Sequence, residues 1–173
     1  MSTKTLSVQV LDLITTTASL TRPANATAYA VDDVVSDVTG NAHFTFSLAP
    51  QPGPIKGEIL IARITSSQNG VATALDSELW LFKTNIANVA DNANWTVTDA
   101  EILTRVAVIP FPVASWRTNA NNATCDVYPN IPFVATTLGT GAGVFLYGQL
   151  VAQNAYVPAS SEIITIELVI AKY

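Results

Sequence analysis

Nucleophilic or acid–base chemistry near neutral pH would have to start from very few side chains in this sequence: one histidine, His43, and one cysteine, Cys125. A catalytic triad needs a base beside its nucleophile and a third group to orient the base. No Ser-His-Asp or Cys-His arrangement surrounds His43, which falls on the polar side of an alternating segment and reads as a solvent-facing strand residue. A lone cysteine excludes an intrachain disulfide and a multi-cysteine zinc site, so Cys125 reads as a small buried or half-buried side chain. Carboxylates gather at Asp32, Asp33 and Asp37, and oxygen ligands at Asp91-Asn92-Ala93-Asn94. Calcium takes six to eight oxygens from a spaced loop that neither stretch follows, so these residues read as turn formers whose side chains satisfy backbone donors. Two carboxylates also serve glycoside hydrolysis, but nothing selects a pair. Gly139-Thr140-Gly141-Ala142-Gly143 lacks the lysine and the strand–loop–helix context of a phosphate loop, and reads as a hairpin or flexible connection. Trp80, Trp95 and Trp116 would make a carbohydrate platform if exposed; their apolar neighbours favour core or interface packing. The expectation is no enzyme, no cofactor and no metal.

The elements that would position these residues are short strands. Thr5 to Leu11 alternates, with Leu6, Val8 and Val10 on one face. His43 to Leu48 points Phe44, Phe46 and Leu48 inward, and Ser161 to Tyr173 does the same with Ile164, Ile166, Leu168 and Ile170. Ile55 to Thr65, Glu78 to Phe82, Ile131 to Thr137 and Gly143 to Ala152 are further strands. Leu79-Trp80-Leu81-Phe82 is apolar on both faces, so it is either central in a sandwich or covered by a neighbouring subunit. Three prolines in Pro50-Gln51-Pro52-Gly53-Pro54 remove ladder donors and make that stretch a connector, while Gln68-Asn69-Gly70 suits a tight turn. Thr98-Asp99-Ala100-Glu101 has capping-box spacing and predicts a helix of one or two turns ending near Arg105. Asn119 to Asn130 reads as a long polar loop. Together these predict one all-β domain over residues 1–173, an antiparallel β-sandwich or barrel with jelly-roll-like connections and one short helix.

The stretch Leu20 to Val35 is richest in recognition chemistry. Pro23 sets its own φ and pushes Arg22 into an extended conformation, so Arg22 is expected at a strand end with its guanidinium outward, paired with Asp32 or Asp33 or with a carboxylate of a partner. Such an exposed pair would contribute only about 0.2–1 kcal/mol. Tyr29 is expected to anchor the loop by packing its ring. Thr21, Arg22, Pro23, Ala24, Asn25, Tyr29, Asp33, Val34 and Val35 fit a Thr-Arg-Pro-Ala-(Asp/Asn)-x-x-x-Tyr-x-x-x-Asp-Val-(Val/Ile) pattern. In this the chain resembles small virion structural proteins of tailed bacteriophages. A second block follows that family's order: Leu79-Trp80-Leu81-Phe82, then Asp91-Asn92-Ala93, then Trp95 through Val108-Ile109. Asn25 stands where the family more often has Asp. The resemblance implies a virion component of the head decoration or cement kind, with Arg22, Pro23, Tyr29, Asp33, Trp80 and Trp116 as the residues expected at contacts.

Composition narrows the partners. Charged residues make up only 12% of the 173 residues and apolar residues 49%, which leaves apolar surface for another protein to cover. A homo-oligomer is expected, a trimer by preference because capsids present threefold positions. Eight basic against 13 acidic residues, a net charge of −5, cannot neutralise many phosphates, so nucleic acid is not an expected partner. No apolar run reaches membrane-spanning length, and Met1-Ser2-Thr3-Lys4 leads into an alternating segment instead of a signal-peptide core. The expected history is synthesis in the host cytoplasm and assembly onto the capsid surface, with the major capsid protein as partner. Asn25-Ala26-Thr27, Asn94-Trp95-Thr96 and Asn122-Ala123-Thr124 match the glycosylation sequon by chance in an Asn/Thr-rich chain. The alternative function is a receptor- or carbohydrate-binding module of a phage tail or fibre.

Overall fold

The computed structural model describes residues 12–37, 43–49, 53–68, 75–136 and 143–173. They form two antiparallel sheets packed face to face. The first holds β1 (Asp12–Thr21), β4 (Ile55–Ser66), β7 (Trp116–Thr118), β8 (Ala123–Val127), β9 (Ile131–Ala135) and β11 (Ile163–Lys172), in the order β1-β11-β4-β8-β7 with β9 also on β4. The second holds β2 (Val34–Val35), β3 (Phe44–Ala49), β5 (Ser77–Phe82), β6 (Arg105–Phe111) and β10 (Val144–Ala152), in the order β2-β10-β5-β6 with β3 also on β10. The all-β sandwich expected from the alternating segments is the fold observed.

Period-two alternation builds the core. Phe44, Phe46, Leu79, Leu81, Ile109, Leu146 and Leu150 face Ile59, Ile64, Ile164, Ile166, Leu168 and Ile170 across the sandwich, all essentially buried. The register of β11 against β4 shifts between Val169 and Ile170, where Leu60 of β4 is the extra residue of a bulge, and beyond it Ala171 is buried as well. The single α-helix among the described residues, α1 (Asp99–Ile102), starts on Thr98, whose side chain accepts from the Glu101 backbone N–H while the Glu101 carboxylate accepts from the Thr98 N–H at 2.9 Å. That is the reciprocal cap the spacing predicts; the helix stops at Ile102, short of Arg105.

Several strands escape the alternation rule, each for a reason. In β1, buried Thr16 puts a hydroxyl on the inward face and breaks the apolar pattern. Pro110 lies within β6, which the sheet tolerates because among the described residues β6 is an edge strand paired with β5 alone. The expected polar loop from Asn119 to Asn130 is corrected: its centre is β8, which pairs with β4 and β7 and buries Ala123 and Cys125. Small inward side chains there give little hydrophobic signal. The turn before it is tight, with the Asn119 Oδ1 accepting from the Asn121 and Asn122 N–H groups at 2.8 and 2.9 Å. The expected Thr5–Leu11 strand, the Asn69-Gly70 turn, most of the Pro50–Pro54 connector and most of the Gly139–Gly143 hairpin lie outside the described residues.

The doubly apolar run of β5 is explained within the chain. Leu79 and Leu81 face the core between β10 and β6, while Trp80 and Phe82 face outward and meet Trp95, at ring-centroid distances of 6.2 and 6.3 Å. Trp95, from the stretch that follows β5, thus packs over the outward side of β5.

Gly57 of β4 is packed so closely that a Cβ would stand 2.8 Å from the Ala171 carbonyl oxygen and 3.1 Å from Ile170 Cγ2. The nearer atom is backbone of β11 and cannot rotate away. Gly57→Ala should lower stability by about 1–3 kcal/mol, read as a lower urea midpoint with unchanged slope.

Candidate interaction site

At the end of the sandwich where β1 stops, the chain does not send Arg22 outward. The Arg22 N–H donates to the Glu162 carbonyl at 2.9 Å, Pro23 turns the main chain away, and the Arg22 side chain folds inward until it is 0% exposed. Its Nη2 donates to Asp91 Oδ2 at 2.9 Å, its Nε donates to the Tyr29 hydroxyl, and its guanidinium carbon lies 4.7 Å from the centre of the Tyr29 ring. The expected pairing with Asp32 or Asp33 is therefore corrected. Asp33 instead accepts from the Ala30 N–H at 2.6 Å, three residues before it, and Asp32 holds the left-handed φ of 69° beside it.

Asp91 is the hub. One carboxylate oxygen takes Arg22; the other accepts from the Tyr29 hydroxyl at 2.6 Å and from the Ser36 N–H at 3.0 Å. Every strong donor around the buried charge is thus used, which is the condition for tolerating an ion pair away from water. Tyr29 is itself 2% exposed and stacks on Tyr156, 6.2 Å between ring centres and 9° between planes. Tyr156 donates its hydroxyl to Glu162, 1% exposed, whose carboxylate also accepts from the Ser66 hydroxyl. Burial, then Asp91, pushes the Tyr29 hydroxyl far above its ordinary pKa, and burial followed by the Glu162 charge does the same to Tyr156.

Between the two anchors the main chain is presented to solvent. Residues 24–28 are exposed, braced by the Asn25 N–H donating to the Pro23 carbonyl at 2.8 Å and by Asn92 Nδ2 donating to the Ala28 carbonyl at 3.1 Å. Exposed apolar side chains flank the network: Val31 two residues after Tyr29, Val157 next to Tyr156, and Ile163 next to Glu162. A braced loop with an apolar rim offers contact area.

The remaining expected contact residues divide. Trp116 is buried, its Nε1 donating to the Leu75 carbonyl at 2.8 Å, so it belongs to the core. Trp80 is half-buried, with Arg105 5.2 Å over its ring and Nε1 donating to Glu78 at 3.0 Å; its outer face is already covered. His43 is half-buried instead of solvent-facing, with Nδ1 2.9 Å from Asn88 Oδ1, and burial lowers its pKa while Asn88 and Asn85 oppose the shift. Asp91, Tyr156 and Glu162 were not among the expected site residues. Asp91 did carry a signal, since it stands in the second block of the resemblance; Glu162 carried none. Among the described residues no group of three or more His, Cys, Asp or Glu side chains is placed to hold a metal ion.

The fold is a two-sheet antiparallel β-sandwich with a buried ionic brace at one end. No protein-family model matches the chain, and no curated protein matches it. Among solved structures, the PRD1 vertex protein P5 is similar at 16% identity and a TM-score of 0.37, over 91% of this chain and 96% of that one.

Breaking a buried pair leaves one charge without compensation, so Arg22→Ala or Asp91→Ala should cost about 3–5 kcal/mol of unfolding free energy, against well under 1 for Asp32→Asn, which removes a charge but tolerates the left-handed backbone there. Urea titration at neutral pH checks the contrast. The tyrosines set a second expectation. Their folded pKa values are raised, so stability is intact below the ordinary value of 10.0 and falls as pH climbs past it, where the unfolded chain releases protons that the folded chain keeps. The fall should approach about 1.4 kcal/mol per pH unit for each tyrosine, and Tyr29→Phe should remove one share of that slope.

Proposed function

We propose that this chain is a non-enzymatic structural protein of a bacteriophage virion, which binds the assembled capsid as a decoration or cement protein and couples neighbouring capsid subunits. The observation that carries the reading is the brace itself. Arg22, Tyr29 and Asp91, residues of the two blocks that resemble phage virion proteins, hold an exposed loop and an apolar rim at one end of a rigid sandwich. In this reading the shared residues are the frame of the contact surface, and the contacts come from residues 24–28 with Val31, Val157 and Ile163. A surface of this kind suits recognition by shape and apolar burial, and a ligand that binds only the assembled shell stabilises the shell by mass action.

Purified protein added to undecorated particles should bind at a fixed stoichiometry and raise their heat resistance. Val157→Asp should weaken that binding by about tenfold or more while changing the protein's own stability by no more than about 0.5 kcal/mol. Particle sedimentation and a melting curve give the two readouts. Binding to glycans with no affinity for heads would replace this reading by a receptor-binding one, and equal loss of stability and binding in Val157→Asp would remove the proposed rim.

A further inference from the structure

We propose that a polar cleft on the outer side of β7 and β8 binds one acidic sugar unit, of the uronic acid class, through its carboxylate and one ring face. The cleft lies at the far side of the first sheet from β1, and the proposal stands independently of the virion reading.

The strand period makes the cleft. Trp116, Ala123 and Cys125 turn into the core, so Arg117, Thr124 and Asp126 stand on the outer side, with Arg117 opposite Thr124 in the ladder. Ser115 before β7 and Tyr128 after β8 complete the walls of a space of about 280 Å³. Sites for drug-sized ligands start at about 300 Å³, so this one has room for a single sugar ring. All five lining side chains carry a polar group, and the broad apolar surface among them is the Tyr128 ring, 67% exposed. An aromatic face beside hydroxyls suits a molecule that is apolar on its ring face and polar at its rim.

The charges select an anion. Arg63 holds Asp126 through Nε at 2.6 Å and Nη2 at 3.1 Å, and its Nη1 donates to Glu167 at 3.1 Å. With Arg117 these make two cations and two anions. Arg117 is the member with donors unspent. Its Nη1 donates to the Trp116 carbonyl at 3.0 Å, which fixes the guanidinium at the cleft, while Nε and Nη2 have no partner among the described residues. That pair of N–H groups forms the same edge by which Arg63 grips Asp126, and it matches the two oxygens of a carboxylate. The floor supplies a second sign of a missing ligand. Thr124 Oγ1 is buried with no partner among the described residues, an arrangement that costs free energy, and rotation about χ1 turns it into the cleft to meet a sugar hydroxyl. The lone pairs that Arg63 leaves open on Asp126 accept from others. A phosphate would bring about two charges to one free guanidinium, and a peptide carboxyl terminus is captured by nests of main-chain N–H groups. Side-chain hydroxyls and a ring face favour the sugar.

The test titrates isotope-labelled full-length protein with methyl glucuronide, methyl glucoside and acetate, read by NMR. The expected result is saturable shifts within residues 115–128 for the glucuronide at about millimolar affinity, and binding about tenfold or more weaker for the glucoside and for acetate. Arg117→Gln should weaken glucuronide binding about tenfold, the effect of losing a charge-assisted hydrogen bond, and Thr124→Val about threefold with no drop in melting temperature. Arg105→Gln, on the other sheet, should leave the affinity unchanged. Equal affinity for glucuronide and glucoside, or for glucuronide and acetate, overturns the proposal. So do shifts confined to residues outside the cleft, no saturation up to about 20 mM glucuronide, or an unchanged affinity in Arg117→Gln or Thr124→Val. Should a variant fail to fold, the comparison of the three ligands on the native protein decides. Failure of particle binding with these results intact would count against the virion reading only.

Discussion

The charge pair between Arg22 and Asp91 is the constraint on which the end of this sandwich depends. Arg22 continues β1 of the first sheet, and Asp91 accepts from Ser36, the residue after β2 of the second, so one buried contact ties the two sheets together where their strands run out. Its net contribution is small, because removing two ions from water costs nearly what their attraction returns. Its leverage lies in what it forbids. A guanidinium that is 0% exposed must find all its partners at once, and any arrangement of the 22–36, 88–95 and 153–162 stretches that separates Arg22 from Asp91, Tyr29 and the Ala159 carbonyl strands a charge in the interior. The Tyr29–Tyr156 stack and the Glu162 cluster extend the same logic outward, since a buried carboxylate and two buried phenols demand hydrogen-bond partners in turn.

A second constraint comes from apolarity. With so few charged side chains, the chain covers the outward side of β5 itself: the stretch that follows β5 lays Trp95 against Trp80 and Phe82. The cover is costly in places. Gln149 Oε1 and Trp95 Nε1 are buried without a partner among the described residues, even though Gln149 Nε2 donates to the Val35 carbonyl at 3.2 Å. Folding tolerates these because the covered area is large and aromatic. What remains exposed and apolar is scattered, except at the braced end, where Val31, Val157 and Ile163 adjoin residues that cannot move without breaking the network.

These two features make the proposed role physically coherent. Recognition of a large assembled surface benefits from loops that are ordered before binding, since less conformational entropy is then lost on contact. Here the order is supplied from beneath the loop: Asp91 accepts from Arg22, Tyr29 and Ser36, and Tyr29 and Tyr156 are held protonated by burial and neighbouring carboxylates. In the proposed role, a motif expected to make the contacts would act as their frame.

Local pattern determined the fold class. Alternating β-branched and aromatic residues in β3, β4, β5, β10 and β11 can bury one side only as strands, and the Thr98–Glu101 spacing closes a cap within four residues, so neighbours in sequence suffice to specify these elements. Tertiary structure alone decided the strands whose inward residues are small or polar, β1 with Thr16 and β8 with Ala123 and Cys125, because their burial comes from partners far away in the chain. It also decided the direction of Arg22. Pro23 and nearby Asp32 and Asp33 favour an outward side chain by local reasoning, but the partner that turns it inward lies 69 residues away. A charge goes where its counter-ion is fully desolvated and fully bonded, and that place exists only after both sheets have packed.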